Sequence, residues 1–288
     1  MSIFPAKPAR MARDRRDTPR KWRWVWDGLL VCVTYEGGAG DPYDIAGHQY
    51  GVEIATDTAD WRETIAGRGK FNDFSPASAQ TYETYGFVPS AATEQFSMLA
   101  AATGIIQTSD GYSIAMGGYR AAANAGAWAL MWEAYNNTGK LGYGMLGKAY
   151  WASNFDTPSD GVVAGVLRSQ TDVEIFHSDW TAGGDVSHEA IAGISTHTNH
   201  ADTDRIVVGA VVRHSGSSQV GHDECVDVLN LFWDYPLPNE AMARIVADPF
   251  AFLERRTVFG FKAPAAAPAG PAGPVPAKMH SYRQRRVG

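Results

Sequence analysis

The chain has 288 residues, 45% of them apolar, which is enough for a real globular core in one large domain or two small ones. No apolar run approaches the ~20 residues of a membrane span, and the first residues lack the apolar segment of a signal peptide, so neither membrane insertion nor secretion is expected. The formal charge of −6 conceals three zones: residues 1–23 hold eight basic and two acidic residues, residues 255–288 hold seven basic and no acidic ones, and the body between is strongly acidic.

From the N-terminus, residues 1–23 carry Pro5, Pro8 and Pro19, dense charge and no apolar periodicity, which predicts a disordered basic arm. Residues 24–254 form the body. Its first strand is Leu29 to Tyr35, followed by a turn at Glu36–Pro42 and then, over Tyr43 to Ile54, a short link and a strand. Residues 72–94 are polar and small, a long excursion with one short strand. Strands then recur at Phe96–Ala101, Tyr112–Arg120, Ala127–Tyr135, Leu141–Trp151, Val162–Arg168, Val173–His177, Arg205–Arg213 and Val226–Trp233, separated by turn-forming residues such as Asn136-Asn137-Thr138-Gly139. A polar loop is expected over 181–204.

The last strand runs into Pro236 and Pro238, which forbid further ladder pairing. A short helix starts at Pro238 or Asn239, with the Asn239 side-chain oxygen available to its unpaired amides. Met242, Ile245 and Val246 make one apolar stripe on it, and Pro249 ends it. Residues 255–288 are a Pro/Ala/Gly tether with a basic tip. Many strands and one late helix predict a two-sheet sandwich or jelly roll. Cys32 and Cys225 fall in the first and last strands; two buried thiols is the plainer expectation, and a single bridge stays open.

Asp27-Gly28-Leu29-Leu30-Val31, Tyr35-Glu36-Gly37-Gly38-Ala39-Gly40 and Tyr43-Asp44-Ile45-Ala46-Gly47 resemble the opening of laminin-G/concanavalin A-like domains, and Ser113–Arg120 is similar to one of their strands. Phe232-Trp233-Asp234-Tyr235-Pro236-Leu237, with Met242, Ile245, Asp248-Pro249-Phe250 and Leu253, resembles the strand and helix that end bacteriophage and prophage proteins of this type. Departures are Pro238 for a serine cap, Asp234-Tyr235 for Asn-Arg and Phe250 for a tryptophan. The resemblance implies an all-β, concanavalin A-like (laminin-G-like) two-sheet jelly-roll sandwich with one short C-terminal helix, here carrying extended basic terminal arms.

No cofactor is required by the sequence. Calcium is the commonest ion in such folds, and Asp41 and Asp44, or Asp156 and Asp160, could contribute ligands, although solvated turn residues are the plainer explanation. His197, His200, Asp202 and Asp204, and His222, Asp223 and Glu224, lack a zinc spacing. Glycoside hydrolysis needs two carboxyls flanking the scissile bond, and neither Glu174 with Asp179 nor Asp223 with Asp227 has a suitable register. No Gly-x-Ser-x-Gly elbow occurs, so the chain is expected not to be an enzyme. Trp128, Trp132, Tyr143 and Trp151, with Tyr135 and Tyr150, could stack on a glycan, or else face the core.

The leading functional expectation is a non-enzymatic structural protein of a bacteriophage virion, a capsid decoration or a head- or tail-associated protein. It would dock on neighbouring virion proteins through Arg10, Arg13, Arg15, Arg16, Arg20, Lys21, Arg23, Arg283, Arg285 and Arg286, and act as a homo-oligomer in the particle. The alternative is a lectin-like virion module that contacts a host-surface glycan. Nucleic acid could reach only the arms, because the acidic body repels it.

Overall fold

A computed structural model describes residues 5, 7–8, 11–35, 42–55, 60–72, 74–75, 79–86, 95–106, 113–120, 128–134, 139–145, 149–169, 171–191, 203–209, 211–213, 218–220 and 224–255. In chain order the strands are β1 (Leu29–Val33), β2 (Tyr43–Asp44), β3 (Gln49–Tyr50), β4 (Val52–Ala55), β5 (Asp60–Thr64), β6 (Gly67–Asn72), β7 (Phe74–Ser75), β8 (Ala79–Gly86), β9 (Phe96–Ile106) and β10 (Ser113–Arg120). They continue with β11 (Trp128–Glu133), β12 (Lys140–Met145), β13 (Ala149–Asp156), β14 (Asp160–Ser169), β15 (Asp172–Asp179), β16 (Val186–Ile191), β17 (Thr203–Val208), β18 (Val211–Arg213), β19 (Ser218–Val220) and β20 (Glu224–Trp233). One α-helix, α1 (Asn239–Ala247), follows, and a 3-10 helix (Arg20–Trp26) precedes β1.

Two sheets result. The first runs β16-β15-β14-β9-β20-β1-β2-β3, with β6 joining β20 to β5; the second runs β13-β12-β11-β10-β17-β8-β4, with β18, β19 and β7 attached. The fold is an all-β two-sheet sandwich. Its first and last strands are neighbours: β1 lies antiparallel to β20 with Cys32 opposite Leu231 and Val33 opposite Asn230.

Between the sheets, Val31, Val33, Phe96, Met98, Ala100, Val163 and Ile175 of the first sheet meet Trp128, Leu130, Trp132, Tyr143, Ile206 and Val208 of the second. Phe96, Trp128 and Phe232 cluster there with centroids 4.9–5.7 Å apart, Phe232 stacked on each of the other two. Each such fully buried side chain contributes about 1.5–3 kcal/mol of transfer free energy.

The first sheet is buried on its other face as well. Leu99, Ala101, Val162, Ala164, Val166, Phe176, Leu229, Leu231 and Trp233 pack there against Met242, Ile245 and Val246 of α1, against Phe250, Phe252 and Leu253, and against Met11, Trp22 and Val25. Double burial explains why β9, β14 and β20 read as near-continuous apolar runs rather than alternating ones.

The disordered arm expected over residues 1–23 is therefore corrected from Met11 onward: Met11 to Trp26 form a folded strap. Met11 pairs with Glu254 in an antiparallel bridge, and the Ala12 amide donates to the Leu253 carbonyl at 2.6 Å. Trp233 Nε1 donates to the Val25 carbonyl at 2.8 Å, and the Arg244 guanidinium sits 4.6 Å from the centre of the Trp22 ring. Three apolar anchors outweigh the charge around them, because the cations point outward while the anchors remove apolar surface from water.

Smaller differences have local causes. Leu141–Trp151 is two antiparallel strands, β12 and β13. Arg205–Arg213 is broken at Gly209, whose φ of 73° a strand does not accommodate. The loop expected over 181–204 contains β16, and the excursion at 72–94 contains β7 and β8. Pro238 takes the cap position of α1 and has no side-chain acceptor to offer its amides, while the Asn239 side-chain oxygen accepts from Arg168. Ser97 fixes the exit from β20: its hydroxyl donates to the Tyr235 carbonyl at 2.9 Å and accepts from the Leu237 amide at 2.7 Å. The Pro/Ala/Gly tether and the basic tip lie outside the described residues, beyond the compact unit that ends at Arg255.

Candidate functional site

The predicted stacking residues do not form a surface. Trp128, Trp132 and Tyr143 are fully buried between the sheets, and Trp151 is half-buried at the margin of the same core. Strand alternation turns them inward, so a sugar in solvent cannot reach the first three. The sheet faces offer no substitute among the described residues. The first is covered by the strap and α1, and Ala129, Met131 and Val207, on the outer side of the second, are also buried.

Exposed aromatic surface lies instead on the β2–β3 hairpin at the edge of the first sheet. Tyr43 and Tyr50 are directly opposite each other, 37% and 68% exposed, and their rings meet edge to face with centroids 4.9 Å apart. They are the exposed aromatic residues among those whose burial is described. Alternation places Asp44 and Gln49 on the opposite side of the hairpin, where Asp44 is fully buried. Ile45 anchors the turn by packing into the outer-face core and by donating its amide to the Cys32 carbonyl at 2.9 Å. The turn thus holds a polar and an apolar residue inside and presents two phenol rings outside.

Asp44 does not stand as a solvated ligand, contrary to the use suggested by its position in the turn. Its Oδ1 accepts from the amides of Cys32 (2.7 Å) and Ala46 (3.0 Å), and its Oδ2 accepts from Gln49 Nε2 (3.2 Å). Asp41, the other calcium candidate, lies outside the described residues. Asp156 pairs with Lys140 at 2.6 Å, and Asp160 accepts from the Gly104 amide at 3.0 Å. No group of three His, Cys, Asp or Glu among the described residues is arranged to hold an ion.

A second polar cluster closes the open side of the sandwich, where β13 of one sheet meets β15 and β16 of the other. Asn154 donates both its backbone amide (2.8 Å) and its side-chain amide (2.7 Å) to the Glu189 carboxylate. Next to it Phe155 and His177 stack nearly parallel, 7° apart at 4.4 Å. Burial lowers the His177 pKa, against the opposing pull of Asp179 and Asp156. Sequence reasoning missed this pair, since no spacing links residues on different sheets. A third cluster ties β14 and β15 to the start of α1: Arg168 donates to Glu174 at 2.8 Å and to the Leu237 carbonyl at 3.0 Å, and His188, on β16, stacks on Phe176. One Glu174 oxygen holds the Arg168 that reaches the start of the helix, and the other lies 3.7 Å from His188 Nε2.

Of the predicted docking cations, Arg13, Arg15, Arg16, Arg20 and Lys21 are exposed on the strap and Arg23 is half-buried, donating to the Thr18 carbonyl at 3.4 Å. Arg15 pairs with Asp27. Arg10, Arg283, Arg285 and Arg286 lie outside the described residues, as do His197, His200, His222 and Asp223.

No protein-family model and no characterised protein sequence matches the chain. Solved structures do. Domain 4 of AbnA, a GH43 extracellular arabinanase from Geobacillus stearothermophilus, in complex with arabinotriose, superposes with a TM-score of 0.53 at 11% identity, over 76% of this chain and 98% of that domain. The fold is that of a jelly-roll β-sandwich. The botulinum neurotoxin serotype D binding domain matches with a TM-score of 0.52 at 11% identity over 78% of this chain, and the binding domain of botulinum neurotoxin DC, in complex with rat synaptotagmin II, with 0.51 at 8% over 77%. The chain spans about half of each toxin structure, 52%. At these identities the likeness concerns fold alone, and the names give no link to a virion.

Proposed function

We propose that this chain is a non-enzymatic glycan-binding module whose contact surface is the Tyr43–Tyr50 hairpin. The observation that carries the proposal is the exposure of these two rings, 37% and 68%, where the other aromatics whose burial is described are buried or half-buried. An aromatic face with a polar tip suits a sugar, which has apolar C–H faces and hydroxyl edges. Further support comes from a domain of the same architecture that is known in complex with arabinotriose. A binding rather than a catalytic role fits the use made of Asp44, whose two oxygens accept from Cys32, Ala46 and Gln49 and hold the hairpin in place.

A glycan array probed with the full chain tests the proposal, followed by calorimetry on the best binder. Tyr50→Ala is expected to weaken binding roughly tenfold, about 1.4 kcal/mol, without lowering Tm. A blank array, or full binding by Tyr50→Ala, would overturn it.

Docking on a virion is the second reading. It is supported by the resemblance at the closing element and by Arg13, Arg16, Arg20 and Lys21, cations that the folded strap holds in fixed, exposed positions. Neutralising these four is expected to abolish co-sedimentation with particles; unchanged co-sedimentation would remove this reading.

A further inference from the structure

The hairpin that carries the tyrosines has almost no ladder of its own. Each of its strands is two residues long, and β2 pairs with β1 only through Val33 opposite Asp44. Short two-stranded ribbons are marginal in water, so something besides their own pairing must fix the ring positions.

Ile45 is one anchor, through its packing and its bond to the Cys32 carbonyl; the other is the Asp44 carboxylate. It reaches across to the amide of Cys32 in the middle of β1 and back to Ala46 and Gln49 within the hairpin, so a single buried group bonds the sheet, the turn and the second hairpin strand together. A carboxylate is suited to this because it accepts only, from several N–H groups at once, and such charge-assisted bonds are the strong ones. Gly47 is the complement: a Cβ there would collide with Asp44 Oδ2 and come within 2.7 Å of Gln49 Nε2. A bound cation would have to displace these N–H donors, whose positive ends already face both oxygens, and would need about six to eight oxygen ligands at a fully buried position.

We infer that Asp44 is the positioning residue for the Tyr43–Tyr50 platform, doing by hydrogen bonds what a calcium ion does in other binding loops, so that the platform works without calcium. The inference rests on the glycan-binding reading for what the platform contacts, but not for how it is held.

Hydrogen–deuterium exchange on the full chain separates the two. Asp44→Asn keeps the shape but places an N–H2 group against donors, and is expected to raise exchange of peptides covering 42–51 at least tenfold while those covering β9 and β20 stay unchanged. Gly47→Ala, which pushes a methyl group onto the carboxylate, is expected to give the same localised loss should Asp44→Asn fail to fold. Millimolar calcium chloride is expected to leave exchange of the wild-type hairpin unaltered, and the glycan array is expected to read the same in EDTA. Unchanged protection in both variants, calcium-induced protection that Asp44→Asn removes, or an array signal that needs calcium would each overturn the inference. An array blank under all conditions, with the exchange results as expected, would sink the glycan reading and leave the role of Asp44 intact.

Discussion

His177 is one side chain through which the fold loses stability in acid. Stacked on Phe155 and partly withdrawn from water, it is held neutral more readily than in the unfolded chain, because burial outweighs the attraction of Asp179 and Asp156 for its protonated form. Its folded pKa is thus below its unfolded one. The stability it contributes is present above about pH 6.5, the ordinary histidine value, and is lost as pH falls through the lowered folded pKa. His177→Phe keeps the stack and removes the titration. Urea unfolding measured from pH 7.5 downward is expected to show a smaller loss of stability below pH 6.5 in this variant; an identical pH profile would show that His177 does not carry the effect.

Side-chain type announced the presence of aromatic clusters but not their direction. Trp128, Trp132 and Tyr143 were as eligible as Tyr43 and Tyr50 until the second sheet was in place, since a strand's alternation says which residues share a face and not which face meets the core. Asp44 was visible as a turn acid, but its donors come partly from Cys32, twelve residues away, and only pairing of β1 with β2 brings them together.

Among the elements, the closing strand and helix were legible because their signals are local. Branched residues and paired prolines end β20, and a three-four spacing marks α1. Met242, Ile245 and Val246 are all fully buried on the outer face of the first sheet. Ile245→Ala is expected to cost about 2–5 kcal/mol in urea denaturation, the range for a large-to-small change in a packed core.

The strap was not legible for the opposite reason. Its anchors Met11, Trp22 and Val25 follow no period, and seven charged residues stand between the first two, so composition spoke for disorder. Deleting residues 1–26 strips the cover from Trp233 and Phe252, and is expected to yield insoluble or ANS-binding protein. A soluble, cooperatively melting truncation would mean that the strap is dispensable.

At the scale of the molecule, the two cysteines separate neighbouring strands from neighbouring side chains. Cys32 lies opposite Leu231, six positions from Cys225 along β20, a distance of about 20 Å along a strand. Moreover Cys32 faces the strap and helix, whereas Cys225 faces the core between the sheets. A bridge needs Cα atoms within about 7 Å, so the two stay buried as thiols. Thiol titration is expected to find both after denaturation and neither before it, and mild oxidant is expected to leave the mobility on non-reducing gels unchanged.

The Met11–Glu254 bridge also gives the fold a direction in which it is mechanically weak. Because that pairing is antiparallel, the chain before Met11 and the chain after Glu254 leave from the same end of it, and tension applied through them loads its backbone bond in peeling geometry rather than in shear. A tether pulled from both ends would therefore part Lys7 from Ala66 and then the strap from Leu253 and Glu254, one bond at a time, while β1, β20 and β9 still carry no load. In a force trace the sandwich would yield as two events, a small early release of the strap and a later rupture of the sheets, so that the outer cover acts as a mechanical fuse for the core beneath it.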